Sequence, residues 1–164
     1  MDLTIISNIA VYSIPIIFAI TVHEAAHGYA AKYFGDMTAF HLNRISLNPI
    51  RHIDPLGTIV FPILLVILQA GFIFGWAKPV PVNQSNLRNP KKDMLWVALA
   101  GPGSNLIMAI FWTIVYSNQQ LVPSIGQNFI GVMAVAGIQI NIVLMVLNLL
   151  PLPPLDGCLL YTSP

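Results

Sequence analysis

Four long apolar runs, at about residues 5–33, 56–76, 93–116 and 129–150, leave this chain little choice of solvent. A bilayer core about 30 Å thick is crossed by about 20 apolar residues in a helix, a conformation that satisfies its own backbone groups. Only 8% of the residues are charged and 56% are hydrophobic, against roughly 25% charged in a soluble domain, so the chain reads as a membrane protein. A length of 164 residues allows one domain and a handful of spans. The first run carries polar residues and has no small-residue cleavage site after it, so it reads as a retained span and not as a signal peptide.

The runs differ in character. The first contains Pro15, where a kink is expected, and stops at Gly35, a natural helix terminator. Residues 36–55 alternate apolar and polar side chains, include Thr38 and Ile45, and carry turn residues at Asn43 and Asn48-Pro49. They predict short strands or a hairpin at the membrane surface. The run at 56–76 is interrupted or flanked by Pro55, Gly57, Pro62, Gly71, Gly75 and Pro79, which leaves open whether it crosses or turns back. The expected fold is therefore a mainly α, polytopic membrane protein. It has three clear transmembrane helices, a re-entrant or short apolar hairpin, and a small membrane-associated β segment.

Charge placement bears on the hairpin. All seven basic residues, Lys32, Arg44, Arg51, Lys78, Arg88, Lys91 and Lys92, lie between the first and third clear runs. Basic residues collect on the cytoplasmic side of a membrane. A re-entrant 56–76 run puts all seven there, whereas a full crossing divides them three and four. A net charge of +1 gives no reason to expect a nucleic-acid partner.

A metal must be held by histidine and carboxylate here, because Cys158 is the only cysteine. His23-Glu24-Ala25-Ala26-His27 is an H-E-x-x-H pattern in a helical context, and a spacing of four puts both imidazoles on one face, one turn apart. Two imidazole nitrogens then converge on one Zn²⁺, and Glu24 beside them is placed to take a proton from water attacking a carbonyl. Ionisable groups so deep in an apolar helix are costly, and function is their default explanation. A catalytic site needs a third protein ligand. Asp156 is the best candidate, in Asn148-Leu149-Leu150-Pro151-Leu152-Pro153-Pro154-Leu155-Asp156-Gly157, where three prolines break the last span and Gly157 permits unusual backbone angles. His23 and Asp156 lie toward the far ends of their helices, so they meet only if the first and last spans run parallel. His41 and His52 have no ligand-spaced partner and read as surface or structural residues.

An early H-E-x-x-H followed much later by N-x-x-P-x-P-x-x-D-G resembles the site-2 protease family of intramembrane zinc metalloproteases. The resemblance covers nearly all of residues 1–157. It includes Arg44-Ile45-Ser46-Leu47-Asn48-Pro49, Phe74-Gly75-Trp76-Ala77-Lys78-Pro79-Val80-Pro81-Val82-Asn83 and Ala100-Gly101-Pro102-Gly103-Ser104-Asn105, similar to the compact prokaryotic branch without a PDZ domain. It implies one zinc ion on His23, His27 and Asp156, with Glu24 as general base and Asn148 holding the substrate backbone or developing oxyanion. It also implies a multi-pass protein of the prokaryotic plasma membrane that cuts membrane-protein substrates in or near their transmembrane segments, within the lipid bilayer.

Residues 101–105 read as a close helix-packing segment, with Asn105 an interhelical hydrogen-bonder. The β-prone segment after Gly35 would pair with an unwound substrate by strand addition. The intramembrane metalloprotease domain is expected at 1–157, truncated at its C-terminal end. Residues 158–164 read as a sequence scar from a library adaptor. A different class of function uses the same ligands: a non-catalytic membrane binding protein or metal transporter. The donor set also suits iron.

Overall fold

The computed structural model describes residues 3–69, 75–152 and 155–157; the expected scar at 158–164 and the motif residues Pro153 and Pro154 lie outside them. Three long helices, α1 (Leu3–Tyr33), α4 (Pro90–Ser117) and α5 (Ser124–Leu149), pack against one another in all three pairings. Between α1 and α4 lie two short helices, α2 (Thr38–His41) and α3 (Phe61–Ile67), joined by turns.

The sequence of α4 shows why this bundle forms. Its buried residues Met94, Val97, Ala98, Gly101, Asn105, Ala109 and Trp112 recur at three- and four-residue intervals, which makes one inward stripe. The opposite face is apolar as well: Ile107 is 69% exposed and Ile110 54%. An apolar surface of that kind on a helix already packed on one side suits lipid contact. Small residues let the backbones approach. A Cβ built on Gly137 of α5 would lie 2.4 Å from the Trp112 ring, so that indole packs on bare backbone.

Contacts between named residues set the helix directions. The Arg88 amide just before α4 donates to the Phe34 carbonyl just after α1, Val97 lies beside His27, and Gly101 faces both His27 and His23, so α4 runs antiparallel to α1. Trp112 on Gly137 and, nearer the connecting turn, Gln119 on Gly131 make α5 antiparallel to α4. Helices α1 and α5 are consequently parallel, as the meeting of His23 with Asp156 requires. The same arrangement gathers Lys32, at the end of α1, with Lys91 and Lys92, at the start of α4, at one end of the bundle.

The expectation of three membrane helices and a β segment is corrected. Among the described residues, two helices are long and apolar enough to cross a membrane, Pro90–Ser117 and Gly126–Leu149. Within residues 11–33 of α1, Thr21, His23, Glu24, His27 and Lys32 lower the apolar character of the segment. No strand forms among the described residues. The reason in 36–55 is side-chain capping. The Asn48 side chain accepts from the Ile50 amide, and Asp54 accepts from the amides of Leu56 and Gly57. Each starts a helical turn that has a proline in its first positions. Local side-chain bonds of this sort compete with ladder formation, and here they outweigh weak β propensity. Strand addition to this segment loses its structural basis.

The apolar run at 56–76 opens with a wide helical turn, Pro55–Val60, and continues into α3. Its ends meet: the Trp76 amide donates to the Gly57 carbonyl at 3.2 Å, and the Thr58 hydroxyl donates to the Trp76 carbonyl at 2.8 Å. The Lys78 amide then donates to the His52 carbonyl at 2.9 Å, and His52 itself is buried against the Ser46 carbonyl. His52 is a structural residue, and His41 is exposed.

Helix α1 ends as Gly35 predicts. The Asp36 amide reaches back to the Ala31 carbonyl and the Gly35 amide to Lys32, with Gly35 at φ +112°, a left-handed terminus that glycine adopts at little cost. Asp36 then ties this end to the segment leading into α4. Its fully buried carboxylate accepts from the Thr38 amide and hydroxyl, the Asn83 amide at 2.7 Å and the Asn86 side chain at 3.1 Å. Burial raises the acid's pKa, but the donations from Thr38, Asn83 and Asn86 outweigh it and hold the carboxyl below its ordinary 3.8. A pKa lower in the folded than in the unfolded protein stabilises above the unfolded value and is lost as pH falls through the folded one. Melting temperature should therefore drop more steeply below pH 4 in the wild type than in Asp36→Asn, measured by thermal unfolding from about pH 7 to about pH 3. Equal slopes would remove Asp36 from the account.

Candidate metal centre

His23 and His27 stand one turn apart on α1, and the chain beyond α5 returns Asp156 to them. The break after α5 makes this return possible. The Leu150 amide closes onto Leu147, Leu152 onto Leu150 and Leu155 onto Leu152, so the backbone turns tightly through the motif. Gly157 is needed for close approach, since a Cβ there would lie 2.3 Å from the Leu150 carbonyl oxygen. Its φ is not in the left-handed region, so the expectation of unusual angles gives way to one of packing.

Three donor atoms converge. His23 Nε2 and His27 Nε2 lie 3.0 and 3.1 Å from Asp156 Oδ2, and 3.1 Å from each other. Both histidines are buried. Tetrahedral zinc with bonds of about 2.0–2.1 Å would space its ligands by about 3.3 Å, within a few tenths of an ångström of these separations. Protons alone serve such a cluster poorly, because two imidazole nitrogens face one carboxylate oxygen and each other. One cation satisfies all three lone pairs, so the residues fit a Zn²⁺ ion.

The rest of the site was less visible in the sequence. His27 Nδ1 lies 2.7 Å from the Val97 carbonyl of α4, which fixes the ring with Nε2 as the free lone pair. Gly101 presents bare backbone to both rings: a Cβ there would lie 2.3 Å from His27 Nε2 and 2.7 Å from His23 Cε1. Its neighbours are thus the two histidines, beyond the helix packing expected of it. Glu24 accepts from the Val80 amide at 2.8 Å. The signal for that contact was Pro79-Val80-Pro81, because the flanking prolines lack an N–H and Val80 is the only backbone donor of the three.

Glu24, His27 and Asp156 line a cavity of about 330 Å³ together with Pro79, Val80 and Val97. The cavity is large enough for several waters or an extended backbone segment. Asn148 is not brought into it. Its amide donates to the Leu144 carbonyl at 3.0 Å, one turn back in α5. Sequence reasoning thus named four residues that the structure assembles, His23, Glu24, His27 and Asp156, and one that it holds against its own helix.

A helical H-E-x-x-H pair completed by a distant carboxylate, inside a bundle of apolar helices, defines the class of metalloprotease-type metal centres. Comparison with known proteins agrees. The chain is 43% identical over 153 residues to the protein named "Putative zinc metalloprotease YwhC" of Bacillus subtilis (strain 168), covering 88% of this chain and 64% of that protein. It is 28% identical over 149 residues to "Putative zinc metalloprotease Rip2" of Mycolicibacterium smegmatis, covering 86% and 52%, and 30% identical over 139 residues to the Rip2 of Mycobacterium tuberculosis, covering 85% and 51%. It therefore spans between about half and two-thirds of the length of these relatives. No protein-family model matches the chain, and no solved structure matches it significantly. The chain is thus similar to proteins named as zinc metalloproteases, consistent with the resemblance to the site-2 protease family.

Proposed function

We propose that this protein is a zinc-dependent endopeptidase that hydrolyses peptide bonds in or near the transmembrane segments of other membrane proteins, from a multi-pass position in a prokaryotic plasma membrane. One observation carries the reading: three metal donors converge inside an otherwise apolar helix bundle, and two of them, His27 and Asp156, border one cavity together with the carboxylate base Glu24. His23, His27 and Asp156 hold the ion. When bound, zinc supplies Lewis-acid polarisation of the scissile carbonyl and lowers the pKa of water.

The chain's own residues do the rest. Glu24 takes the proton of the attacking water and passes it toward the leaving amine, with its carboxylate oriented by the Val80 amide. The Val97 carbonyl keeps the His27 ring in its ligating tautomer. Residues 75–83 run without regular structure as far as Asn83, alongside Glu24, and form the wall against which an extended substrate would lie. An extended backbone matters because a helix conceals its carbonyls in internal hydrogen bonds. Asn148 can steady the substrate's carbonyl only by giving up its bond to Leu144. The clustering of Lys32, Lys91 and Lys92 at the end of the bundle nearest the site supports a cytoplasmic mouth.

The test is cleavage of a membrane-spanning reporter by purified full-length protein, with and without a zinc chelator. Cleavage that stops with chelator and returns with Zn²⁺ supports the reading. Tight zinc binding without cleavage of any spanning reporter would favour the carrier alternative.

A further inference from the structure

Both ligating histidines need a partner for the ring nitrogen that faces away from the metal, and only His27 shows one. Among the described residues, His23 Nδ1 is buried with no hydrogen-bond partner. So are both polar atoms of Asn105, whose side chain is fully buried in α4. A buried amide or imidazole nitrogen left unpaired forfeits its hydration without compensation, so native structures pair such groups with protein or ordered water.

The helix register puts these orphans at one level. Along antiparallel α1 and α4, Val97 lies beside His27, and Gly101, one turn on, faces both His27 and His23. One further turn brings Asn105 to the level of Ala19, which is fully buried and small. The His23 ring leans the same way. Its Nε2 faces His27 Nε2, one turn toward the C-terminal end of α1. Nδ1, across the ring, therefore faces the preceding turn, toward which helical side chains tilt in any case.

We propose that Asn105 is the positioning residue for His23, with its side-chain carbonyl accepting from Nδ1–H through a link of no more than one buried water. The link fixes His23 in the tautomer that leaves Nε2 free, the service that Val97 performs for His27. A water there would have three polar atoms within its surroundings, His23 Nδ1 and Asn105 Oδ1 and Nδ2, enough to hold it in an interior. The inference rests on the metal-centre reading above. Asn141 of α5 is the competing explanation, since it is also fully buried with an unpaired Oδ1 and would make Asn105 a purely interhelical glue residue.

The experiment is zinc affinity of the full-length protein, by competition with a chromophoric chelator, in wild type, Asn105→Leu, Asn105→Asp, Asn141→Leu, His23→Ala and the His23→Ala/Asn105→Leu double variant. Asn105→Leu should weaken zinc binding by about tenfold to hundredfold, the usual cost of losing an outer partner of a ligand. Asn105→Asp keeps an acceptor and should bind within about threefold of wild type or tighter. In the His23→Ala background, Asn105→Leu should cost nothing further, because its action passes through His23. The proposal is overturned if Asn105→Leu binds as wild type does. Losses as large in Asn105→Asp as in Asn105→Leu, or a full loss retained without His23, overturn it too. An effect from Asn141→Leu with none from Asn105→Leu assigns the polar pair to helix association. Failure of the wild type to bind zinc at all would instead refute the metal-centre reading.

Discussion

Glu24→Gln is expected to reduce peptide hydrolysis by about 10²–10⁴-fold while leaving zinc bound, the range by which a positioned acid–base group accelerates a reaction. That loss corresponds to about 3–5 kcal/mol of barrier. The substitution is unusually clean here. Glutamine keeps a side-chain carbonyl that can accept from the Val80 amide, the one hydrogen bond Glu24 makes to the neighbouring segment. It removes only the ability to take a proton. Glu24 is not among the three converging donors, so the ion stays. The measurement is reporter cleavage beside zinc content, wild type against variant. Equal cleavage by both proteins would mean that the activity belongs to something else, and lost zinc would make Glu24 part of the ion's binding.

Gly101→Ala should weaken zinc binding by more than about 100-fold, a larger effect than a single methyl group ordinarily has in a helix. The new carbon would sit 2.3 Å from His27 Nε2 and 2.7 Å from His23 Cε1. Comfortable carbon contacts are about 3.5–4.0 Å, so both rings, or the helix, must move by about an ångström. Metal-ligand distances tolerate about 0.2 Å. Gly103→Ala, two residues on, provides the comparison. Nothing lies within 4 Å of a Cβ at that position, and it is exposed on α4. Alanine there should leave zinc binding unchanged and stabilise the helix slightly, by about 0.5–1 kcal/mol. Chelator competition on the two variants decides the matter, and similar affinities for both would show that α4 does not press on the metal centre.

The legible part of the site was whatever helical geometry fixes over one turn. His23 and His27 had to share a face, and Glu24 had to sit beside them. Asp156 was legible for a different reason: it is a lone carboxylate after a proline-broken span. The β segment was misread because alternation in 36–55 is a statement about side chains, whereas Asp36, Asn48 and Asp54 act on backbone amides and start turns before any strand could pair. The third expected membrane helix falls on α1, whose residues 11–33 carry the polar Thr21, His23, Glu24, His27 and Lys32.

By itself, the sequence determined that the chain is apolar, that its basic residues gather between the first and third clear runs, and that His23, Glu24, His27 and Asp156 are its chemically expensive residues. Each of these follows from composition or from spacing within a single element. Only the tertiary structure decided that Val97 supports His27, that Val80 orients Glu24, that Gly101 yields room to both imidazoles and that Asn148 turns away. Those contacts join residues far apart in the chain, 56 positions for Glu24 and Val80 and 70 for His27 and Val97. The physical reason is that backbone carbonyls and amides are the same at every position in a sequence. What distinguishes one of them is the packing that aims it.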